Sequence, residues 1–341
     1  MTEPQGSRIA VTAFKPATGL SNPHLQSCWG PFLRRLSPLQ HRESKLPLPD
    51  GDHVWLYEAG PEAVDGAPIV LLFHGLGGSR CSHYMEGMQL ALLKAGITSI
   101  AMDARGAGER PNERACCYHA GSTETIEALV RDLQARFPAS PLFAIGFSLG
   151  GTQLLNWLIR SGDDSLAGAC AVSSPLWLRA SADTLDGSSL PCRRYRRYLL
   201  SGLLEDLERK RQYLLATNPV ESEALVMLEP FENIDTFFKF DEYINAPLHN
   251  FAGADDYYQK CSPGGQLAAI RTPTLLLQAK DDPFMQRDLQ PDSGQLGCVT
   301  IETSPHGGHV GFIAGSLWQP IYWIEQRLLA YIADRLVARQ P

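Results

Sequence analysis

Short apolar runs alternating with amphipathic stretches predict an α/β chain: a mostly parallel, doubly wound sheet with an inserted helical cap. Three observations lead there. Runs at 68–73, 97–102, 141–145, 167–173 and 272–279 have the length and continuity of strands buried on both faces. Segments with helical spacing separate the early runs. From about 176 to 268 strong strands are missing, and helical, charged and aromatic segments dominate.

Taken in order, residues 1–40 are rich in Pro, Ser and Arg without clear periodicity, and are expected to be an arm packed on the core. The runs 41–48 and 53–57 flank Pro49-Asp50-Gly51-Asp52, a hairpin signal. After the strand at 68–73, a helix over 81–95 ends near Gly96, and a strand follows at 97–102. Residues 123–137 read as an amphipathic helix, with Ile126, Leu129, Val130, Leu133 and Phe137 on one side. The strand at 141–145 leads into a helix at 151–159, and the strand at 167–173 closes with Ser174-Pro175. Alternation resumes at 272–279 and 298–302, and a long last helix is expected from about 316 to 338. The implied division is an arm (1–40), a first core part (41–175), a cap insertion (176–268) and a second core part (269–341). The cap would roof a pocket over the strand ends.

The most informative pentapeptide is Gly146-Phe147-Ser148-Leu149-Gly150, because a buried strand precedes it and a helix follows. A serine at so sharp a turn is strained, with its hydroxyl held above the sheet edge. Glycines two residues away on either side avoid clashes with neighbouring backbone. This is the nucleophile elbow of α/β-hydrolases in its proper context.

A serine hydroxyl needs a base, and the base needs an orienting carboxylate. On this fold they follow in the order Ser, Asp or Glu, then His, each in a loop after a strand. The strand ending at Ala279 is followed by Lys280-Asp281-Asp282-Pro283, and that near Glu302 by Thr303-Ser304-Pro305-His306-Gly307-Gly308-His309. Asp282 is preferred as the acid; Asp281 is the alternative, better suited to capping loop backbone. His309 is preferred over His306 as the base. Two histidines in a Gly-rich loop make a poor metal site, so no metal is expected. The oxyanion donors would be the N–H groups of Leu149 and of Leu76 in His74-Gly75-Leu76-Gly77-Gly78. His74, Asp103 and Arg105 are assigned structural roles.

The chain resembles the YheT-like branch of the α/β-hydrolase superfamily. The resemblance is carried by Asn22-Pro23-His24-Leu25-Gln26, the segment from His74 to Ser79, the elbow, Asp241-Glu242-Tyr243, Ala246-Pro247-Leu248, Asp256-Tyr257-Tyr258, Asp281-Asp282-Pro283-Phe284, and Gly307-Gly308-His309-Val310-Gly311-Phe312. It implies an esterase or lipase-like serine hydrolase with no cofactor and a small-molecule ester substrate, lipid esters included. Acyl transfer by the same triad, or a silent fold used as a binding module, are the alternatives.

Charge and cysteine usage narrow the rest. A net charge of −7 argues against a nucleic-acid partner. The eight cysteines, at 28, 81, 116, 117, 170, 192, 261 and 298, show no CxxC pair. With no secretory pattern at the amino terminus, they fit reduced thiols and a cytoplasmic location. One basic cluster stands out: Arg193, Arg194, Arg196 and Arg197, then Leu199, Leu200, Leu203, Leu204 and Leu207, then Arg209-Lys210-Arg211. Peripheral contact with an anionic membrane is one use for it. The preferred expectation is a solvated helix face whose leucines pack inward and whose arginines pair with Glu205, Asp206 and Glu208.

Overall fold

The computed structural model describes residues 12–162, 165–228 and 230–339, so the first eleven residues of the expected arm lie outside the described residues. The arm carries a helix that its composition conceals, α1 (Pro23–Leu33). Asn22 caps it by accepting the N–H groups of His24 and Leu25, and Pro23 occupies the first turn, where no N–H is needed. The hairpin β1 (Arg42–Pro47) and β2 (His53–Ala59) follows. Strands and helices then alternate: β3 (Ile69–Phe73), α2 (His83–Lys94), β4 (Thr98–Asp103), α3 (Glu124–Arg136), β5 (Leu142–Phe147), α4 (Leu149–Ser161) and β6 (Gly168–Val172).

Between β6 and the next strand the described residues are helical. They form α5 (Leu178–Leu185), α6 (Leu190–Thr217), α7 (Pro219–Val226), α8 (Phe237–Phe240), a π-helical turn (Asp241–Asn245), α9 (Ala246–Leu248) and α10 (Ala254–Cys261). The chain then returns to the sheet through β7 (Thr274–Ala279), β8 (Gly294–Leu296) and β9 (Val299–Ser304). A small hairpin, β10 (Ile313–Gly315) with β11 (Pro320–Tyr322), precedes α11 (Trp323–Val337). The last helix therefore starts at Trp323, not near residue 316. Gly315 adopts φ 77°, and residues 313–315 pair with 320–322.

The nine strands lie in the order β1-β2-β4-β3-β5-β6-β7-β9-β8. From β4 to β9 neighbours run parallel, and the antiparallel pairs are confined to the two edges. Because side chains alternate along each strand, the central strands feed two cores. Leu71 and Ala144 face Ile126, Leu129, Leu154 and Leu158 of α3 and α4. Leu72 and Ile145 face Met85, Met88 and Leu92 of α2 and Leu328 of α11. With both faces covered, polar side chains are left to the strand ends. The loops after β3, β5, β7 and β9 leave the carboxyl edge of one parallel sheet, which fixes where a site can form.

The arm helix docks on α2 and α11. Gly30 lies so close to the His83 ring that a Cβ there would push the imidazole aside, and Arg34 pairs with Glu325 at 2.6 Å while covering the Tyr322 ring at 3.5 Å. Burial, assisted by the Arg34 charge, pushes His83 down to about 4. His83 thus stays neutral in the fold below pH 6.5, where the unfolded chain takes up a proton, and its contribution is lost as pH falls. Replacing it by Gln should remove this dependence. Between about pH 7.5 and 4.5 the wild type should lose about 2.5 kcal/mol relative to His83→Gln. Urea unfolding of both proteins at the two pH values measures the difference.

Candidate active site

Ser148 joins β5 to α4 with φ 52° and ψ −124°, a backbone conformation that a non-glycine residue adopts only when its surroundings impose it. Its N–H donates to Val172 O at 2.8 Å, and its carbonyl accepts from Gly151 and Thr152 at 2.9 and 3.1 Å. A Cβ at Gly146 would lie 2.5 Å from Gly150 O, and one at Gly150 would lie 2.5 Å from Phe73 O. These glycines let helix and strands close around the turn.

His309 Nε2 lies 2.9 Å from Ser148 Oγ, and its Nδ1 lies 2.8 Å from Asp282 Oδ2. The Asp282 side chain is fully excluded from solvent and that of His309 is 11% exposed. The other Asp282 oxygen accepts the N–H of Phe284 at 2.9 Å. Asp281 is directed elsewhere: it accepts the Gly308 N–H at 3.0 Å and meets His306 at 3.3 Å. His306 is half exposed, and the Phe284 ring is stacked on the His309 imidazole at 4.1 Å. The geometry therefore joins Ser148, His309 and Asp282 in one chain of contacts and leaves Asp281 and His306 outside it.

The loop after β3 is pinned by two tyrosines that the sequence did not single out. The Tyr84 hydroxyl accepts the Gly75 N–H at 3.0 Å, and the Tyr118 hydroxyl accepts that of Gly77 at 2.7 Å. The Gly78 N–H donates to Gly75 O. Among the described residues, Leu76 is the one amide of Gly75–Gly78 without an acceptor. Leu149, at the first position of α4, has no intrahelical acceptor either. His74 props the same loop. Its Nδ1–H donates to Gly75 O at 2.8 Å and its Nε2 accepts from Ala104 N–H at 3.1 Å, a pairing only a neutral ring can make. Burial, which lowers its pKa, favours that form. Asp103 accepts the Arg80 N–H at 2.6 Å, and Arg105 pairs with Asp50 at 2.6 Å.

Ser148, Leu149, Leu76 and His309 open into a cavity of about 960 Å³ whose walls are mainly apolar. Leu178, Leu199, Leu203, Phe237, Phe240 and Ile244 from the segment between β6 and β7 line it. Phe238 does not; it lies beneath Arg179, with the guanidinium 5.1 Å from its ring centroid. The cavity also holds a carboxyl: Asp241 accepts from Tyr258 at 2.7 Å and Asn245 at 2.5 Å, and burial pushes it up to about 7. Among the described residues no group of three or more His, Cys, Asp or Glu side chains could hold a metal ion.

A family description, the alpha/beta hydrolase fold, matches residues 68–316. The chain is 36% identical over 330 residues to "Putative esterase YheT" of Escherichia coli (strain K12), covering 96% of this chain and 94% of that one. The chain belongs to the α/β-hydrolase family, in its YheT-like branch. A second relative, the monoacylglycerol lipase of Saccharomyces cerevisiae, is 31% identical over 261 residues, spanning 74% of this hydrolase and 57% of the yeast protein. The solved esterase Pf2001 of Pyrococcus furiosus shares the fold, with a TM-score of 0.52 at 15% identity over 89% of this chain and 96% of that one.

Tyr84, Tyr118, Ser27 and Gln26 all reach the site, yet none carries a chemical motif of its own. Only the Asn22–Gln26 and Asp281–Phe284 stretches offered a signal, through the resemblance. The tight packing at the elbow makes a direct forecast. Gly150→Ala would force a methyl group onto the β3 backbone of this hydrolase, which cannot yield as a flexible side chain would. Overpacking of this kind should lower the unfolding free energy by about 3 kcal/mol or more, measurable by urea denaturation beside an exposed Gly294→Ala control, where a Cβ meets open space.

Proposed function

We propose that this hydrolase cleaves carboxylic esters with apolar acyl groups through a covalent acyl-enzyme. The observation that carries this is the contact chain Asp282–His309–Ser148, at 2.8 and 2.9 Å. His309 Nε2 takes the Ser148 proton as the oxygen attacks the ester carbonyl. Asp282 holds the Nδ1–H, which keeps the imidazole in the acceptor tautomer and stabilises the imidazolium. The Leu149 and Leu76 amides receive the oxyanion. His309 then protonates the departing alcohol, and water, activated by the same ring, releases the acid. The apolar walls favour an acyl chain, each buried methylene contributing roughly 0.8 kcal/mol until the cavity is filled. The esterase and lipase names of the relatives support the same substrate class.

Hydrolysis of nitrophenyl esters from acetate to palmitate tests this. Ser148→Ala and His309→Ala should each lose on the order of 10⁴-fold in kcat, because the members act as a unit. A fluorophosphonate probe should label the wild type and not Ser148→Ala. Asp282→Asn should lower turnover by several orders of magnitude with KM nearly unchanged, whereas Asp281→Asn should mainly reduce stability. The opposite ranking would move the acid role to Asp281.

We also propose that the ester is drawn from an anionic lipid surface. The expected pairing forms at the carboxyl end of the cluster, where Arg209 meets Asp206 and Arg211 meets Glu208, and Leu200, Leu203 and Leu207 are buried. At the other end Arg196 donates to backbone carbonyls. Among the described residues Arg193, Arg194 and Arg197 are exposed and without an acidic partner within 4.0 Å. Beside them Phe32, Leu33, Leu190 and Tyr198 are 70, 60, 55 and 63% exposed, and the rings of Phe32 and Tyr198 lie 6.4 Å apart. Phe32, Leu190, Arg194 and Tyr198 also line the cavity, so this apolar, basic rim opens onto the pocket. No described helix is long and apolar enough to cross a membrane.

Each arginine near an anionic surface contributes about 1 kcal/mol. The protein should sediment with phosphatidylglycerol vesicles at low salt. Replacing Arg193, Arg194 and Arg197 by Gln should weaken this at least ten-fold, and added salt should mimic the loss. A wild type that ignores the vesicles would indicate an ester taken from solution.

A further inference from the structure

The loop that carries His309 is poorly held by its own backbone. β9 ends at Ser304 and β10 begins at Ile313, and between them Gly307, Gly308 and Val310 adopt φ 151°, 59° and 54°, with Phe312 at 48°. Two non-glycine residues in the left-handed region need support from outside.

That support comes from the far end of the sequence. The Gln26 side chain is fully buried and acts as a two-sided clip on Ile313: Nε2 donates to its carbonyl at 3.1 Å and Oε1 accepts its N–H at 2.6 Å. Nε2 also donates to Leu20 O at 2.7 Å, so the amide is satisfied on both atoms. One residue on, Ser27 Oγ accepts the N–H of His309 itself at 2.8 Å while donating to Pro23 O at 2.8 Å. Gly308 and Gly311 let the loop lie flush on α1. A Cβ at either would lie 2.5 Å from a helix carbonyl, Pro23 O in one case and Gln26 O in the other. Ser173 Oγ holds the opposite side by accepting the Val310 N–H at 3.1 Å. The arm grips the aromatic side of the site as well. His24 Nδ1 is 3.0 Å from the Tyr195 hydroxyl, and Tyr195 packs edge-on against Phe284, the ring stacked on His309.

We propose that Gln26 and Ser27 are positioning residues, which hold the His309 imidazole in register with Ser148 and Asp282. Asn22-Pro23-His24-Leu25-Gln26 is then a working part of the site: Asn22 starts the helix that presents both side chains. This rests on His309 being the general base. A merely structural arm would affect stability and leave turnover per folded molecule alone. A positioning arm affects kcat, because an imidazole displaced by about 1 Å costs on the order of 10²-fold.

The test uses the full-length protein, nitrophenyl ester kinetics and the rate of fluorophosphonate labelling. Ser27→Ala should lower kcat and the labelling rate about ten-fold or more, with KM within about two-fold. Ser27→Thr, which keeps the acceptor oxygen, should restore most of the loss. Gln26→Ala should lower both further, and if it does not fold, the Ser27 pair still decides. The far-downfield imidazole proton resonance of the wild type should broaden or shift in Ser27→Ala. A folded Ser27→Ala protein with wild-type kcat and labelling rate overturns the positioning role. So does a Ser27→Thr protein as impaired as Ser27→Ala. His309→Ala separates the two readings. If it is inactive while Ser27→Ala is fully active, the positioning role alone fails. If it keeps turnover, the base assignment fails and the proposal with it.

Discussion

The backbone of Ser148, at φ 52° and ψ −124°, is the constraint on which the rest of the architecture depends. Holding a non-glycine residue there costs of order 1–3 kcal/mol, and the surrounding fold has to supply it. The supply is visible atom by atom. β6 takes the Ser148 N–H, the first turn of α4 takes its carbonyl, and glycines at 146, 150 and 151 let strand and helix backbones meet without a side chain between them. The same closeness that strains the residue lifts its hydroxyl clear of the sheet edge, within reach of His309 from the loop after β9, three strands away.

What the sequence revealed follows from what fixes each element. The parallel strands were legible because burial on both faces demands unbroken apolar runs, as in Ile69–Phe73 and Leu142–Phe147. The elbow was legible because strain and close packing demand glycine. Asp282 and His309 could be placed in their loops because strand order dictates where such residues emerge. Position in the loops favoured Asp282 over Asp281 and His309 over His306, and the geometry joins the favoured pair to Ser148 while Asp281 turns to the Gly308 amide. The hairpin before α11 escaped notice because its three-residue strands are too short to show a period. The helix in the arm escaped because Gly30 and Pro31 interrupt its pattern. Tyr84 and Tyr118 were hidden for another reason: what matters in each is one hydroxyl meeting one amide, and no periodicity records that.

The chamber over the catalytic edge combines opposed surfaces. Leucines and phenylalanines from α5, α6 and α8 make it apolar, yet Asp241 lies within it, near neutrality and bonded to Tyr258 and Asn245. Such a carboxyl is tolerated because two donors already satisfy it. The wall of this hydrolase is therefore built from segments with no partner in the sheet. Their composition can vary without disturbing the strands that hold the reacting groups.

The clip between Gln26 and Ile313 joins residues 287 positions apart. A chain made from its amino terminus has the arm, the elbow and the sheet centre long before it has the loop that the arm must grip. Until residue 313 is available, Gln26 lacks the Ile313 backbone that it clips, and on the proposed mechanism His309 is not yet seated beside Ser148. Contacts of such long range form late and raise the entropic barrier to completion. On the proposed mechanism, a chain interrupted before residue 313 would therefore carry the Ser148 elbow without a seated base.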